Sequence, residues 1–162
     1  MNLIQEMEVY AKENGIPIME EEGISFLCEW IEKNNCKRIL EIGSAIAYSA
    51  IRMANVYEDI EVVTIERDDD RFLAAEQNVR KAGLADRITL IHDDALNAEV
   101  SGMFDLLFID AAKAQYMKFF ERYEPYLKLG GWIVSDNLKF HGFVAHPEII
   151  RSRHLKQMVR KI

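Results

Sequence analysis

The rhythm of apolar positions changes at about residue 36. Before it, Leu3, Met7, Tyr10 and Ala11 recur at helical spacing, and Gly15 follows as a cap. Ile16-Pro17-Ile18 breaks that pattern. Ile24, Leu27 and Ile31 then mark one face of a second helix over about 20–33. Beyond it, short apolar runs alternate with helical stretches. The runs fall at 38–43, 61–66, 87–91, 104–110 and 132–135, and the stretches between them at about 46–57, 69–82 and 113–128. Phe72, Ala75 and Val79 form one helical face, closed by Gly83. A shorter link follows the third run. Strands that alternate with helices give a parallel sheet covered on both faces, and right-handed crossovers make it doubly wound.

Composition adds limits to this α/β expectation. The chain has 162 residues, 49% hydrophobic and 29% charged, so it can bury one core and is not disordered over most of its length. No apolar run approaches the roughly 20 residues of a membrane span, and the acidic, amphipathic start does not read as a signal peptide. Cys28 and Cys36 are too few for a disulfide framework, which points to a reduced, cytoplasmic protein. The net charge is -7. It is uneven: residues 151–162 hold Arg151, Arg153, Lys156, Arg160 and Lys161 with no acid, which leaves a strongly acidic body. That body does not suit broad, nonspecific nucleic-acid binding. The basic tail fits either phosphate contact or a solvated helix face.

In a doubly wound sheet, ligands bind outside the carboxyl ends of the strands. Gly43 follows the first strand, where the backbone must turn tightly into a helix. Only the first glycine of a G-x-G-x-x-G fingerprint is present, so a pyrophosphate cradle is weakly supported. Gly43 alone is equally a plain turn residue. Glu66 ends the second strand, where an acid can accept from ribose hydroxyls; it also fits a surface charge ahead of Arg67-Asp68-Asp69-Asp70, a run suited to capping a helix. Asp110 ends the fourth strand and Asp136-Asn137 the fifth, with Lys113 three residues after Asp110. If those strands are neighbours, three hard oxygen donors converge, a set suited to Mg²⁺, with Lys113 as a candidate general base. The same residues also fit helix caps and a solvated lysine.

Other chemistries find little support. His92, His141, His146 and His154 show no ligand spacing for zinc, and no G-x-S-x-G elbow marks a serine hydrolase. Trp30, Phe119 and Phe120 read as core. Tyr48 and Trp132 lie nearer the strand ends, but the core reading leads there too.

The segment Leu40-Glu-Ile-Gly-Ser-Ala-Ile-Ala-Tyr-Ser49 resembles the first motif of S-adenosylmethionine-dependent methyltransferases, and most of all that of the cation-dependent O-methyltransferases of the catechol and caffeoyl-CoA type. Phe108-Ile-Asp-Ala-Ala-Lys113 and Ser135-Asp-Asn137 resemble that group's metal and catalytic motifs. The similarity runs over about residues 8–145. Within the group, residues 10–19, Gln115-Tyr116 and Phe119-Phe120 look most like the enzymes that methylate 5-hydroxyuridine in bacterial tRNA.

The resemblance implies a Rossmann-like class I methyltransferase fold. It implies S-adenosylmethionine and Mg²⁺ as cofactors. Asp110, Asp136 and Asn137 would be metal ligands and Lys113 the base. Glu66 would hold the ribose, Gly43 and Ser49 would line the methionine end, Asp94 and Ala95 would sit beside the adenine, and Glu41 would shape the pocket. It further implies tRNA as the substrate partner and a homodimer. The rival readings are a catechol-type small-molecule enzyme and an inactive binding or dimerisation module. Three departures stand out: Ala47 and Asp93 where the family usually has Gly, and a length that implies a chain cut at both ends, lacking the last two strands. The expected layout is one domain: N-terminal helices in 1–35, a cofactor core in 36–137, and a loop with a basic helix in 138–162. The fifth strand would then be an exposed edge.

Overall fold

The computed structural model describes residues 1–109, 113–135 and 148–151, with the main chain alone at 113, 114 and 148–151. Two helices come first, α1 (Leu3–Glu13) and α2 (Glu21–Asn34). Asn2 and Gln5 form a reciprocal capping box at the start of α1. Left-handed Asn35 closes α2. The chain then alternates through β1 (Arg38–Ile42), α3 (Tyr48–Ala54), β2 (Glu61–Glu66), α4 (Asp69–Lys81), β3 (Ile88–His92), β4 (Phe104–Ile109), α5 (Lys113–Tyr123), β5 (Leu127–Ser135) and β6 (Glu148–Arg151).

The six strands form one sheet in the order β3-β2-β1-β4-β5-β6. The first five are parallel, as the alternation of runs and helices predicts. The order reverses between β1 and β4, which is the switch point where a doubly wound sheet opens a crevice. Successive residues of each strand feed opposite faces. Ile39, Val62, Leu106 and Phe108 pack under α1, α2, α3 and α4, while Leu40, Ile65, Leu107 and Ile109 pack against Phe119, Phe120 and Tyr123 of α5. Both faces are thereby buried. No helix among the described residues is long and apolar enough to cross a membrane.

Two expectations differ from the structure. Residues 148–151, expected in a loop and basic helix, form a strand that pairs antiparallel with β5 from Trp132↔Arg151 to Ser135↔Glu148. β5 is thus not an edge; its outer backbone groups are paired by β6. The remainder of the proposed basic helix, 152–162, lies outside the described residues. The second difference is where the fifth strand begins. It starts at Leu127, because the α5 helix ends at Tyr123 and a short 3-10 turn covers Glu124–Tyr126. Phe104 pairs with Leu127 and Leu106 with Trp132, so residues 128–131 bulge opposite the single residue Asp105. Gly130, at φ +78, supplies the left-handed step, and Leu129 stands 96% exposed at the tip. The sequence Lys-Leu-Gly-Gly therefore looks like a turn while its flanks stay in the sheet. Asp105 holds the assembly together: one oxygen accepts from the backbone of Lys37 and Arg38 at 2.8 and 2.9 Å, and the other pairs with Lys128 at 2.9 Å.

The turn from β1 into α3 carries the site. Gly43 has φ 94, Ala45 φ 47 and Ala47 φ 71. Ala47 is the residue that stands where the resemblance expects Gly, and it adopts the left-handed backbone that makes Gly usual there. A left-handed alanine costs about 1–2 kcal/mol. It persists because the turn is fixed by several bonds. Gly43 and Ser44 donate backbone N–H groups to the Ile65 carbonyl, Ala47 donates to the Ser44 carbonyl, and Asn78 Nδ2 donates to the Ile46 carbonyl at 3.0 Å. The Ala47 methyl is fully buried, which returns about 0.8 kcal/mol, and glycine would add backbone entropy to the unfolded chain.

These opposed effects nearly cancel at position 47 and add at a normal helical alanine. Ala47→Gly is therefore expected to change stability by less than about 1 kcal/mol, whereas Ala50→Gly within α3 costs about 2 kcal/mol from lost burial and propensity. Urea unfolding of both variants checks this, and equal losses would contradict the left-handed assignment.

α3 is also tied to the N-terminal helices. Arg52 binds Glu21 through two hydrogen bonds of 2.8 and 3.0 Å and donates to the Tyr48 hydroxyl, which donates to Glu8 at 2.8 Å. The Arg52 guanidinium holds the Glu21 carboxyl down at about 2. A carboxyl depressed in the folded state stabilises fully above its unfolded value, near 4.5, and that contribution fades as pH falls towards 2. The Glu21 side chain is 62% exposed, so solvent screening keeps the energy modest. The stability gap between the natural chain and Glu21→Gln should be constant above pH 4.5 and close between 4.5 and 2. A gap that widens on acidification would contradict the pairing.

Candidate cofactor site

The carboxyl ends of β1, β2 and β3 surround a cavity of about 240 Å³. Ile42 and Gly43 come from the end of β1, Ile65 and Glu66 from β2, and Asp93, Asp94 and Ala95 from the segment after β3. Arg67 and Arg71 close one side, and Gln115 and Phe119 of α5 another. Four of the residues singled out from sequence, Gly43, Glu66, Asp94 and Ala95, thus meet around one cavity.

Glu66 is 8% exposed. Its Oε1 accepts from the backbone N–H of Ala45 at 2.7 Å and its Oε2 from that of Asp68 at 3.1 Å. A carboxylate oxygen has two acceptor sites, so each retains capacity for another donor. The carboxylate is pinned, and it can still receive a pair of hydroxyls. Asp68 itself caps α4, accepting from the Arg71 N–H at 2.8 Å, as the acidic run suggests.

The segment after β3 is shaped by its own acids. Asp93 accepts from the Asp94 N–H at 2.7 Å, and Asp94 accepts from the Leu96 N–H at 2.8 Å. Asp93, which replaces an expected Gly, lines the cavity with its side chain folded onto the backbone. The carbonyl of Ala95 accepts a hydrogen bond from the buried Tyr123 hydroxyl, and the carbonyl of Ala98 one from Arg122. α5 thereby fixes the wall that carries Asp94 and Ala95.

Glu41 and Ser49 stand elsewhere. Neither is among the residues lining that cavity, and they are bonded to each other. Glu41 is fully buried, its Oε2 accepting from the Ser49 hydroxyl at 2.5 Å and its Oε1 from the Thr64 hydroxyl at 2.6 Å. Tyr48 is core at 2% exposed, as read from sequence, and the partly buried Trp132 packs against that core and meets Trp30 edge-to-face at 4.9 Å. Phe119 is both core and cavity wall.

Sequence reasoning passed over Arg67, Arg71, Thr64 and Asn78. Thr64 could have been found, since a polar residue in the buried run Val-Val-Thr-Ile needs a partner. Asn78 carried no such signal on an amphipathic helix. Lys113 is the first residue of α5, and only its main chain is described. Asp110, Asp136 and Asn137 lie outside the described residues. Their neighbours Ile109 and Ser135 are paired across the parallel strands β4 and β5. Among the described residues, no group of three His, Cys, Asp or Glu side chains could hold a metal ion.

Comparison with known proteins bears on this geometry. The O-methyltransferase family profile matches residues 1–162. A caffeoyl-CoA O-methyltransferase of Populus kitakamiensis is 31% identical over 144 residues, covering 84% of this chain and 61% of that protein. The chain spans 60%, 61% and 54% of the lengths of three such curated relatives. A Staphylococcus aureus structure, named as a candidate caffeoyl-CoA O-methyltransferase, is 37% identical with a TM-score of 0.82, covering 99% of this chain and 78% of that one. An O-methyltransferase of Bacillus cereus in complex with SAH is 27% identical with a TM-score of 0.78, covering 86% of this chain and 68% of that one. With a parallel sheet reversing at β1/β4 and the family profile matching end to end, the chain belongs to the O-methyltransferase family.

Proposed function

We propose that the chain transfers a methyl group from S-adenosylmethionine to a hydroxyl oxygen. The observation that carries this reading is the convergence of Gly43, Glu66, Asp94 and Ala95 around the cavity at the sheet's carboxyl edge. SAH in the Bacillus cereus relative supports it. Glu66, held by two backbone donors, would accept from the ribose hydroxyls with its remaining lone pairs. Asp94 and Ala95 would border the adenine, and the Gly43 turn the methionine end.

Asp110, Asp136 and Asn137 would supply hard oxygen donors of the kind that suits Mg²⁺. They follow the neighbouring strands β4 and β5 directly in sequence. A bound divalent ion would supply Lewis acidity that lowers the acceptor's pKa. Lys113 would take the acceptor proton at Nζ. The chain's part is to hold acceptor and donor within contact, which converts a bimolecular step into an effectively unimolecular one.

For the acceptor, 5-hydroxyuridine in tRNA is the reading favoured here. Its enol-like hydroxyl lies beside a carbonyl, a pair that can chelate a cation, and the basic residues of 151–162 offer contact for a phosphate backbone. The caffeoyl-CoA names of several relatives support a second reading, a small catechol-type acceptor.

Transfer of labelled methyl from S-adenosylmethionine to tRNA carrying 5-hydroxyuridine, run beside a catechol and with or without a chelator, separates these readings. Chelator-sensitive labelling of the tRNA is expected, and labelling of the catechol alone would move the acceptor to the second reading. Folded Lys113→Ala should lose about 10²–10⁴-fold in turnover. Near-normal turnover of a folded Asp136→Ala would remove the metal assignment.

A further inference from the structure

We infer that Thr64 is a positioning residue for the cofactor: its hydroxyl joins the turn after β1 to the first turn of α3, and so sets affinity for the methionine end. This rests on the S-adenosylmethionine reading above. Thr64 lies in the middle of β2, fully buried, directly across the parallel register from Glu41. Both face the side of the sheet that α3 covers. Thr64 donates to Glu41 Oε1 at 2.6 Å, and its oxygen lies 2.6 Å from the Ser44 hydroxyl. A threonine hydroxyl has one proton. With that proton given to Glu41, the bond to Ser44 must be donated by Ser44.

The order of donors is therefore fixed. Ser44 donates to Thr64, Thr64 donates to Glu41, and Ser49 donates to the other oxygen of Glu41. The chain of bonds begins in the turn beside Gly43 and ends in the first turn of α3. Thr64 is the one member that touches both the turn and the carboxylate. Its removal leaves the buried Ser44 hydroxyl without an acceptor there and Glu41 Oε1 without that donor, and both ends of the turn lose their common reference.

Two near-isosteric variants separate positioning from packing. Thr64→Val keeps the shape and loses the hydroxyl; Thr64→Ser keeps the hydroxyl and loses a buried methyl. SAH affinity by calorimetry and unfolding by urea are measured on all three chains. Thr64→Val is expected to weaken SAH by about ten-fold, the size of a lost buried hydrogen bond, while Thr64→Ser stays within about three-fold despite its own loss of stability. A merely structural role would make affinity follow stability in both. A natural chain that binds SAH with Thr64→Val binding equally well overturns this inference alone, as does an equal loss in Thr64→Ser. A folded natural chain that binds no SAH overturns the cofactor reading and this inference with it.

Discussion

The arrangement depends on one carboxylate bound by two stretches of backbone. Glu66 ends β2 and accepts from Ala45 in the turn after β1 and from Asp68 at the start of α4. Two neighbouring strand ends are thereby locked to each other at the crevice the sheet topology opens. A buried carboxylate is costly unless hydrogen-bonded. Here its partners are amides that the turn and the helix N-terminus would otherwise leave without acceptors. The desolvation of one group and the orphan donors of two loops offset each other, and the carboxylate that lines the cavity keeps capacity for further donors.

That lock explains how a turn with two left-handed alanines persists. Ala45 and Ala47 each sit in a backbone region that L-residues avoid. Strain of this kind survives where surrounding contacts over-determine it. Ala45 is held by Glu66, Ile46 by Asn78 and Ala47 by Ser44, while Glu41, Thr64, Ser44 and Ser49 fill the space behind with mutually satisfied polar groups. The wall opposite is treated likewise, with Tyr123 and Arg122 of α5 gripping the carbonyls of the segment that carries Asp94 and Ala95. One side of the cavity is fixed by Glu66, which also lines it, and the other by Tyr123 and Arg122, which do not, so both walls are held in place, the condition for binding without large reordering cost.

Much of this was legible in the residues. Five parallel strands, the helices between them and the crevice at Gly43 and Glu66 follow from apolar periodicity and from acids at strand ends. The β6 pairing was not legible, because the four residues Glu148–Arg151 are too few to carry a periodic signal and their pairing is decided by the free edge of β5. The early start of β5 was hidden because Lys-Leu-Gly-Gly looks like a turn, and it is one, inside a bulge. The resemblance gives Ser49 to the methionine end and Glu41 to the shape of the pocket, but motif position does not show which side chains bond to each other, as these two do. Strand register does: Glu41 lies opposite Thr64, and both face α3.

A crystal structure of the chain with SAH would read the cofactor directly against Glu66. Both ribose hydroxyls are expected within hydrogen-bonding distance of that carboxylate and the adenine against Asp94 and Ala95, with the Ala45 bond to Glu66 retained. SAH bound at another surface, or bound in this cavity with Glu66 turned away from the ribose, would contradict that expectation.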